Sequence, residues 1–278
     1  MDQNGQQQFI ETPDGKLSSE WFRAENEHTR LVFFPAMGVK IRHYRRLAAG
    51  LADVGITCIT VEYRGQDGSS NIDRSSRFGY SEIATIDIPA ALAAAAQPGV
   101  PTWVGGHSLG AQLTTLSAAT NGLVDAEGIV SVAGGTPYFR SYPLLDAWRP
   151  LLGTTGPVLV SAAVGYWPGD RIGIGGRQSK HLTRDWARLA WTGNFERLRG
   201  VQGESTDFNK FDRPFVAIVF DDDSLAPAST AEALIAKLPR ARGSVVCVPG
   251  DGGHVQWLEK PGNAISSIQT ATSVPEKF

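Results

Sequence analysis

The chain has 278 residues, with 26 Lys or Arg against 28 Asp or Glu and two cysteines. A chain of this length can bury a large core without disulfides or a structural metal. The charge is nearly balanced and no run of basic residues is present, which argues against a nucleic-acid-binding surface. We therefore expect a small, largely uncharged molecule as the substrate or ligand.

Cysteine and histidine are too few and too scattered to form a disulfide framework or a metal cluster, so no metal or other cofactor is expected. Cys58 and Cys247 both lie in apolar, strand-like runs and are predicted to be buried as small apolar side chains. Residues 1–8 are polar and lack the order of a signal peptide. The apolar stretch over residues 157–167 is too short to span a bilayer. A cytoplasmic protein without membrane insertion is the expectation, and the oligomeric state is left open.

The first predicted element is a hairpin over residues 9–17, with Asp14-Gly15 as turn residues that tolerate positive φ. A continuous apolar run over residues 31–34 predicts a strand covered on both faces, which Pro35 ends. A helix is predicted next, because apolar residues recur with spacing i, i+3, i+4, i+7 at Tyr44, Leu47, Ala48 and Leu51.

Strands and helices then alternate, which predicts an α/β protein with a mostly parallel central sheet flanked by helices. An Ala-rich helix runs to about residue 96, and its regular part is limited by Pro89 unless this proline lies in the first turn. The remaining predicted strands are 56–61, 102–104, 128–133, 214–220 and 244–248, and the remaining predicted helices are 109–119 and 230–238.

This alternation stops between about residues 136 and 211, where aromatic side chains are frequent. The simplest interpretation is a helical lid over residues 136–211, inserted into a core formed by residues 1–135 and 212–278. Helical spacing occurs within it at Trp186, Leu189 and Ala190. The aromatic residues are Tyr138, Phe139, Tyr142, Trp148, Tyr166, Trp167, Trp186, Trp191 and Phe195.

The motif Gly106-His107-Ser108-Leu109-Gly110 matches G-x-S-x-G. The pattern alone is weak, but here it follows a predicted strand and opens a predicted helix, as a nucleophile on a sharp turn requires. Glycines two positions away leave room for that turn. The positive helix end favours developing negative charge at the serine. Ser108 is therefore the candidate nucleophile, and the alternative is a glycine-rich turn carrying a solvated serine.

A serine needs a base, and the base needs an orienting carboxylate. The predicted strand 214–220 ends in Asp221, Asp222 and Asp223, at the sheet edge where catalytic groups collect. Chemistry alone leaves the choice among them open, and Asp221 and Asp222 are expected to cap the loop or the next helix. His254 is the candidate base, because it follows the last predicted strand in a glycine-rich loop.

Acyl transfer also needs two backbone N–H donors for the developing oxyanion. The residue after the nucleophile, Leu109, supplies one. The second is expected from the loop after the strand 31–34, and Met37 is chosen because the following Gly38 permits a tight turn. An ordinary strand-to-helix loop is the alternative there.

With these residues in place, the whole chain resembles the α/β-hydrolase superfamily, in particular bacterial enzymes related to serine aminopeptidase and monoglyceride lipase-like hydrolases. Asp223-Ser224-Leu225-Ala226-Pro227 is similar to the Asp-x-x-x-Pro acid loop of the superfamily, which singles out Asp223, and Gly253-His254 matches its Gly-His. Two departures concern loops near the site. Pro35 stands where relatives usually have His. Residues 62–69 look like the superfamily's Asp-x-Arg-Gly-x-Gly-x-Ser loop, but Asp67-Gly68 shifts its second glycine by one position.

The resemblance implies a serine esterase with the catalytic triad Ser108, Asp223 and His254 and an oxyanion hole at Met37 and Leu109. The expected reaction is hydrolysis of a carboxylic ester, thioester or amide through an acyl-enzyme. The alternatives are an acyltransferase or C–C bond hydrolase with the same triad, or a non-catalytic homologue that binds a ligand.

Overall fold

The computed structural model describes residues 5–66, 71–121, 123, 125–201, 206–250 and 252–273. Asp67 and Gly68, at which the sequence departs from its relatives, lie outside the described residues. Within them the chain has an α/β architecture with one large, mostly parallel sheet, as the alternation of apolar runs predicts.

The large sheet has eight strands in the order β1-β2-β4-β3-β5-β6-β9-β10. The pairs β1–β2 and β2–β4 are antiparallel, and all other neighbours in this sheet are parallel. The two remaining strands, β7 and β8, form a separate antiparallel pair. The bounds are β1 (Gln6–Thr12), β2 (Gly15–Phe22), β3 (Thr29–Phe34), β4 (Ile56–Val61), β5 (Thr102–His107), β6 (Ile129–Val132), β7 (Tyr166–Pro168), β8 (Arg177–Ser179), β9 (Pro214–Phe220) and β10 (Arg242–Val248).

Helices cover both faces of this sheet. Apolar side chains of α1 and α9 pack with one face, and those of α3, α4 and α8 pack with the other. The α-helices are α1 (Arg45–Asp53), α2 (Tyr80–Glu82), α3 (Ile88–Ala95), α4 (Leu109–Asn121), α5 (Trp148–Val164), α6 (Gly169–Ile172), α7 (Lys180–Thr192), α8 (Ala228–Ile235) and α9 (Gly262–Thr272). Shorter helical turns are Ile41–Tyr44, Ile83–Asp87, Phe139–Ser141, Phe195–Arg197 and Gln256–Glu259.

The strand register brings together loops that are far apart in sequence. Phe34, the last residue of β3, pairs with Gly106 near the end of β5. Likewise Phe220, which ends β9, pairs with Val248, which ends β10. Because these strands are parallel, the segments that follow them leave the sheet at the same edge.

The chain between β6 and β9 lies outside the large sheet, although these two strands are hydrogen-bonded neighbours. It contains α5, the β7–β8 pair, α6 and α7. The sequence pattern indicated the helix around Trp186, which is α7, but not α5. Gly153, Gly156 and Pro157 interrupt helix propensity in α5, and no polar face gives it a 3.6-residue period.

Two other expectations need correction. In the first hairpin the turn residues are Pro13 and Asp14, because Gly15 already pairs with Thr12 and is the residue with positive φ, at 136°. Cys58 is buried as expected, but Cys247 is exposed, because β10 forms the sheet edge and largely faces solvent. Apolar sequence alone did not reveal that β10 lacks cover.

No helix in the described part of the chain combines the length and apolarity needed to cross a bilayer.

Candidate active site

Ser108 lies on the sharp turn between β5 and α4. Its φ is 53°, a left-handed value that is strained for a residue with a side chain. Glycines make this turn sterically feasible: a Cβ on Gly110 would lie 2.4 Å from the Phe34 carbonyl oxygen, and one on Gly106 would lie 2.7 Å from the Gly110 Cα. The serine therefore projects from the strand end where α4 begins.

His254 links Ser108 to Asp223. Its Nε2 lies 2.9 Å from the Ser108 Oγ, and its Nδ1 lies 2.7 Å from the Asp223 Oδ2. An ionised carboxylate can only accept, so Nδ1 carries the proton and Nε2 is left to accept the serine hydroxyl proton. The histidine side chain is 15% exposed and the aspartate side chain 1% exposed. A substrate can therefore contact the histidine, whereas the carboxylate is shielded from solvent.

Asp223 is held by its own loop. Its Oδ1 accepts hydrogen bonds from the backbone N–H groups of Leu225 at 2.9 Å and Ala226 at 3.1 Å. These bonds occupy one carboxylate oxygen and leave the other for His254. Of the three adjacent aspartates, Asp223 is the one with a described hydrogen bond to His254.

Asp221 and Asp222 bind the loop that carries His254. Asp221 accepts from the Gly250 N–H at 2.8 Å, and Asp222 accepts from the N–H groups of Gly252 at 2.7 Å and Gly253 at 3.0 Å. Loop capping by these two aspartates was expected from the sequence, but the loop of His254 as their partner was not. The glycine run indicated an unusual backbone conformation in this loop, and Gly252 and Gly253 do have positive φ. The pairing of β9 with β10 was needed to show that the aspartates bond this loop.

The turn after β3 contains Met37. It is closed by a hydrogen bond from the Val39 N–H to the Ala36 carbonyl oxygen at 3.1 Å, and Gly38 has a φ of 74°. This is the tight turn that Gly38 predicted. Leu109 is the first residue of α4 and is buried, and N–H groups in the first turn of a helix have no partner within the helix.

His107 adjoins the nucleophile and is fully buried. Its ring centroid lies 4.9 Å from that of His254 and 5.3 Å from that of Trp257. Burial holds its pKa well below the usual value, and the neighbouring His254 adds to this effect. These contacts make His107 a neutral packing residue beside the turn.

Residues from the chain between β6 and β9 touch the site on two sides. The backbone of Gly175 and Gly176 lies against Gly38, where a Cβ would come within 2.2 Å of the Gly175 carbonyl carbon. On the other side, the Tyr142 hydroxyl donates to the Leu225 carbonyl oxygen at 2.8 Å. The turn that bears Met37 and the loop that bears Asp223 therefore both have neighbours from this region.

Among the residues that the structure describes, no group of three or more His, Cys, Asp or Glu side chains could hold a metal ion.

Comparison with models of protein families identifies the family to which this chain belongs. A model described as the alpha/beta hydrolase family matches residues 31–266. The chain therefore belongs to the alpha/beta hydrolase family, and this membership supports a hydrolase activity. No curated protein sequence gave a significant match.

Solved structures resemble the fold over nearly its whole length. A soluble variant of monoglyceride lipase from Saccharomyces cerevisiae has a TM-score of 0.68 at 15% identity, covering 98% of this chain and 97% of its own. A bromoperoxidase from Bacillus anthracis has a TM-score of 0.67 at 14% identity, covering 97% and 100%. Est1E from Butyrivibrio proteoclasticus has a TM-score of 0.60 at 16% identity, covering 96% and 98%. At these identities the likeness concerns the fold alone.

Proposed function

We propose that the chain is a serine hydrolase that cleaves carboxylic esters through an acyl-enzyme. The observation that carries this proposal is the continuous hydrogen-bonded series from the Ser108 hydroxyl through His254 to the buried Asp223. A serine on a strained turn, a histidine with one face open and a fixed carboxylate are the groups that acyl transfer requires.

In the first step the Ser108 Oγ attacks the carbonyl carbon while His254 Nε2 takes the hydroxyl proton. Asp223 stabilises the imidazolium that forms and keeps its proton on Nδ1. The tetrahedral intermediate collapses when its bond to the leaving alkoxide breaks, and Nε2 returns the proton to that oxygen. In the second step His254 deprotonates a water, which attacks the acyl carbon, releases the carboxylic acid and restores Ser108.

The oxyanion is assigned to the backbone N–H groups of Met37 and Leu109. Leu109 is supported by its place at the start of α4, where free N–H groups and the helix dipole favour negative charge. Met37 is supported by its turn after β3, since β3 pairs with the strand that leads to Ser108. Loss of one such donor typically costs about 3–4 kcal/mol of barrier stabilisation.

Residues 136–211 are assigned as a lid over this site. The contacts of Gly175 and Gly176 with Gly38, and of Tyr142 with Leu225, support a segment that limits what can reach Ser108. An ester of modest size, bound beneath this aromatic-rich region, is the proposed substrate. The remainder of the chain is the core, formed by residues 1–135 and 212–278.

The test is turnover of p-nitrophenyl esters of graded acyl length by wild type, Ser108→Ala and a control, Ser117→Ala. Ser117 is a buried serine on α4, the helix that follows Ser108, and its hydroxyl has no hydrogen-bond partner among the residues that the structure describes. Ser108→Ala should lower kcat at least about 10⁴-fold, since removing a triad nucleophile abolishes the covalent route, and it should stop labelling by a fluorophosphonate. Ser117→Ala should do neither. Equal turnover by wild type and Ser108→Ala would end the proposal.

A further inference from the structure

Two buried tyrosines bind the same peptide group in the turn after β3. The Tyr63 hydroxyl donates to the Pro35 carbonyl oxygen at 2.6 Å, and the Ala36 N–H donates to the Tyr44 hydroxyl oxygen at 2.8 Å. This carbonyl and this N–H belong to one planar peptide unit. Both of its polar ends are therefore fixed by side chains from elsewhere in the chain.

The next peptide group is fixed by the turn itself. The Ala36 carbonyl oxygen accepts from the Val39 N–H, and Gly38 supplies the positive φ that closes the turn. In a trans peptide the N–H points away from the carbonyl of the same unit. The Met37 N–H therefore points opposite to the Ala36 carbonyl, and three hydrogen bonds orient the two peptides that lead to it.

Tyr44 also connects this turn to the nucleophile. Its hydroxyl lies 2.9 Å from the Nδ1 of His107, the residue before Ser108. Burial raises the pKa of both tyrosines well above the usual value and lowers that of His107. The Tyr44 oxygen accepts from the Ala36 N–H whichever of Tyr44 and His107 donates to the other, because a phenol oxygen has two lone pairs.

We propose that Tyr44 and Tyr63 are positioning residues for the oxyanion hole. They preset the direction of the Met37 N–H, and Tyr44 keeps that donor in register with Ser108 and Leu109. This inference rests on the proposed function and adds to it two residues that do not touch the substrate.

The physical reason is preorganisation. Backbone donors lower a barrier only when they already point at the place where charge develops. A turn that contains a glycine can rotate a peptide unless the polar groups of that peptide are held. Two buried hydroxyls fix the Pro35–Ala36 peptide from within the core, so the donor does not have to be reoriented during the reaction.

The experiment compares Tyr44→Phe, Tyr63→Phe and the double variant with wild type and with Tyr80→Phe. Tyr80 is the matched control, because it is fully buried and its hydroxyl donates at 2.6 Å to Gln112 rather than to the turn. Tyr63→Phe and Tyr80→Phe each remove one oxygen atom and one buried hydrogen bond, so they are the closest match. Tyr44→Phe removes one oxygen atom and two hydrogen bonds, those with Ala36 and His107. Melting temperature is measured first, and all kinetics are run well below the lowest value.

Each turn variant should lower kcat about tenfold and the double variant about 100-fold, with KM within about twofold of wild type. Tyr80→Phe should keep kcat within about twofold while losing a similar amount of thermal stability. The activity loss would then follow the contact with the turn and not the general cost of a buried hydroxyl.

A second readout addresses the oxyanion directly. A thionoester presents sulfur, a weaker hydrogen-bond acceptor, where the ester presents oxygen. Wild type should prefer the ester, and Tyr63→Phe should reduce the ester-to-thionoester rate ratio by about the same factor as kcat, whereas Tyr80→Phe should leave the ratio unchanged. A fall in kcat with an unchanged ratio would overturn the positioning role.

The inference and the proposed function fail in different ways. An active wild type whose turn variants match Tyr80→Phe in kcat would refute the positioning role and leave the hydrolase intact. A wild type without ester turnover and without fluorophosphonate labelling of Ser108 would refute both.

Discussion

The strands of the central sheet and helix α5 bury their apolar side chains to very different extents. Residues of β3, β4 and β5 are buried throughout. In α5, by contrast, Leu152 and Leu159 are each 66% exposed, and the sequence has no charged residue between Arg149 and Asp170. A long helix with Arg149 as its one charged residue, which leaves leucines in solvent, contributes less burial free energy than its composition suggests.

The helix α7 shares the apolar core with the sheet. Its Leu182 and Leu189 are fully buried in the cluster that the sheet forms with α3 and α4, and residues 179–199 also make polar contacts with residues 77–82. Ser179 donates to the Phe78 carbonyl oxygen, Asp185 accepts from the Tyr80 N–H, and Arg199 donates to the Arg77 carbonyl oxygen. The groups proposed for chemistry stand on core loops, whereas α5, in the region proposed to cover them, leaves leucine side chains exposed. We therefore expect function and stability to respond to different substitutions.

The largest effect is expected from a core loop. Asp223→Asn should lower kcat about 10⁴-fold at pH 7 with little change in melting temperature, because an amide no longer favours the proton on His254 Nδ1. Asp222→Asn is the matched control, since it changes a neighbouring aspartate that bonds only backbone N–H groups in the described contacts. Steady-state kinetics of both variants checks the assignment. Equal losses in the two would contradict the choice of Asp223.

A leucine pair tests the difference in burial directly. Leu51→Ala removes a fully buried side chain of α1 and should lower the free energy of unfolding by about 2–5 kcal/mol. Leu159→Ala makes the same chemical change in α5 and should cost less than about 0.5 kcal/mol. Urea denaturation of both variants measures the two values. A cost for Leu159→Ala near that for Leu51→Ala would show that α5 is covered in solution.

The smallest effect concerns one point of attachment. Burial raises the pKa of Asp185 from 3.8 to about 6, against the opposing hydrogen bond from the Tyr80 N–H. The folded state therefore binds more protons than the unfolded state between about pH 4 and 6. Stability must fall as the pH rises through this window and then level off, because a raised carboxyl pKa favours the protonated folded form.

Asp185→Asn should reduce the dependence of the free energy of unfolding on pH, because an amide oxygen still accepts from the Tyr80 N–H but the side chain carries no charge. At pH 7.5 the variant should be more stable than wild type by about 1–2 kcal/mol. Unfolding measured by denaturant from pH 4 to 8 compares the two proteins. The inference that a costly charge is buried at Asp185 is wrong in either of two cases: the stability of wild type does not fall between pH 4 and 6, or the Asn variant is less stable than wild type at pH 7.5.

Local patterns in the sequence determined much of the fold and two members of the candidate site. The buried strands, α1 and the turn at Ser108 follow from residue spacing and from glycine sterics, which act over a few residues and can be read in order. Gly106 and Gly110 needed no knowledge of distant partners to indicate a sharp turn. His254 followed from its position after the last strand.

Residue chemistry left three aspartates open as partners of His254, and the resemblance to the Asp-x-x-x-Pro loop singled out Asp223. The three-dimensional structure was needed to find which side chains bond the turn before Met37 and which apolar runs remain uncovered. Asp223 and His254 are 31 residues apart, and their meeting depends on the pairing of β9 with β10. Tyr44 and Tyr63 look like ordinary core residues in the sequence, because a hydrogen bond to a peptide far along the chain produces no pattern in residue spacing. Cys247 and Leu159 show the same limit, since an apolar residue does not specify whether another element will cover it.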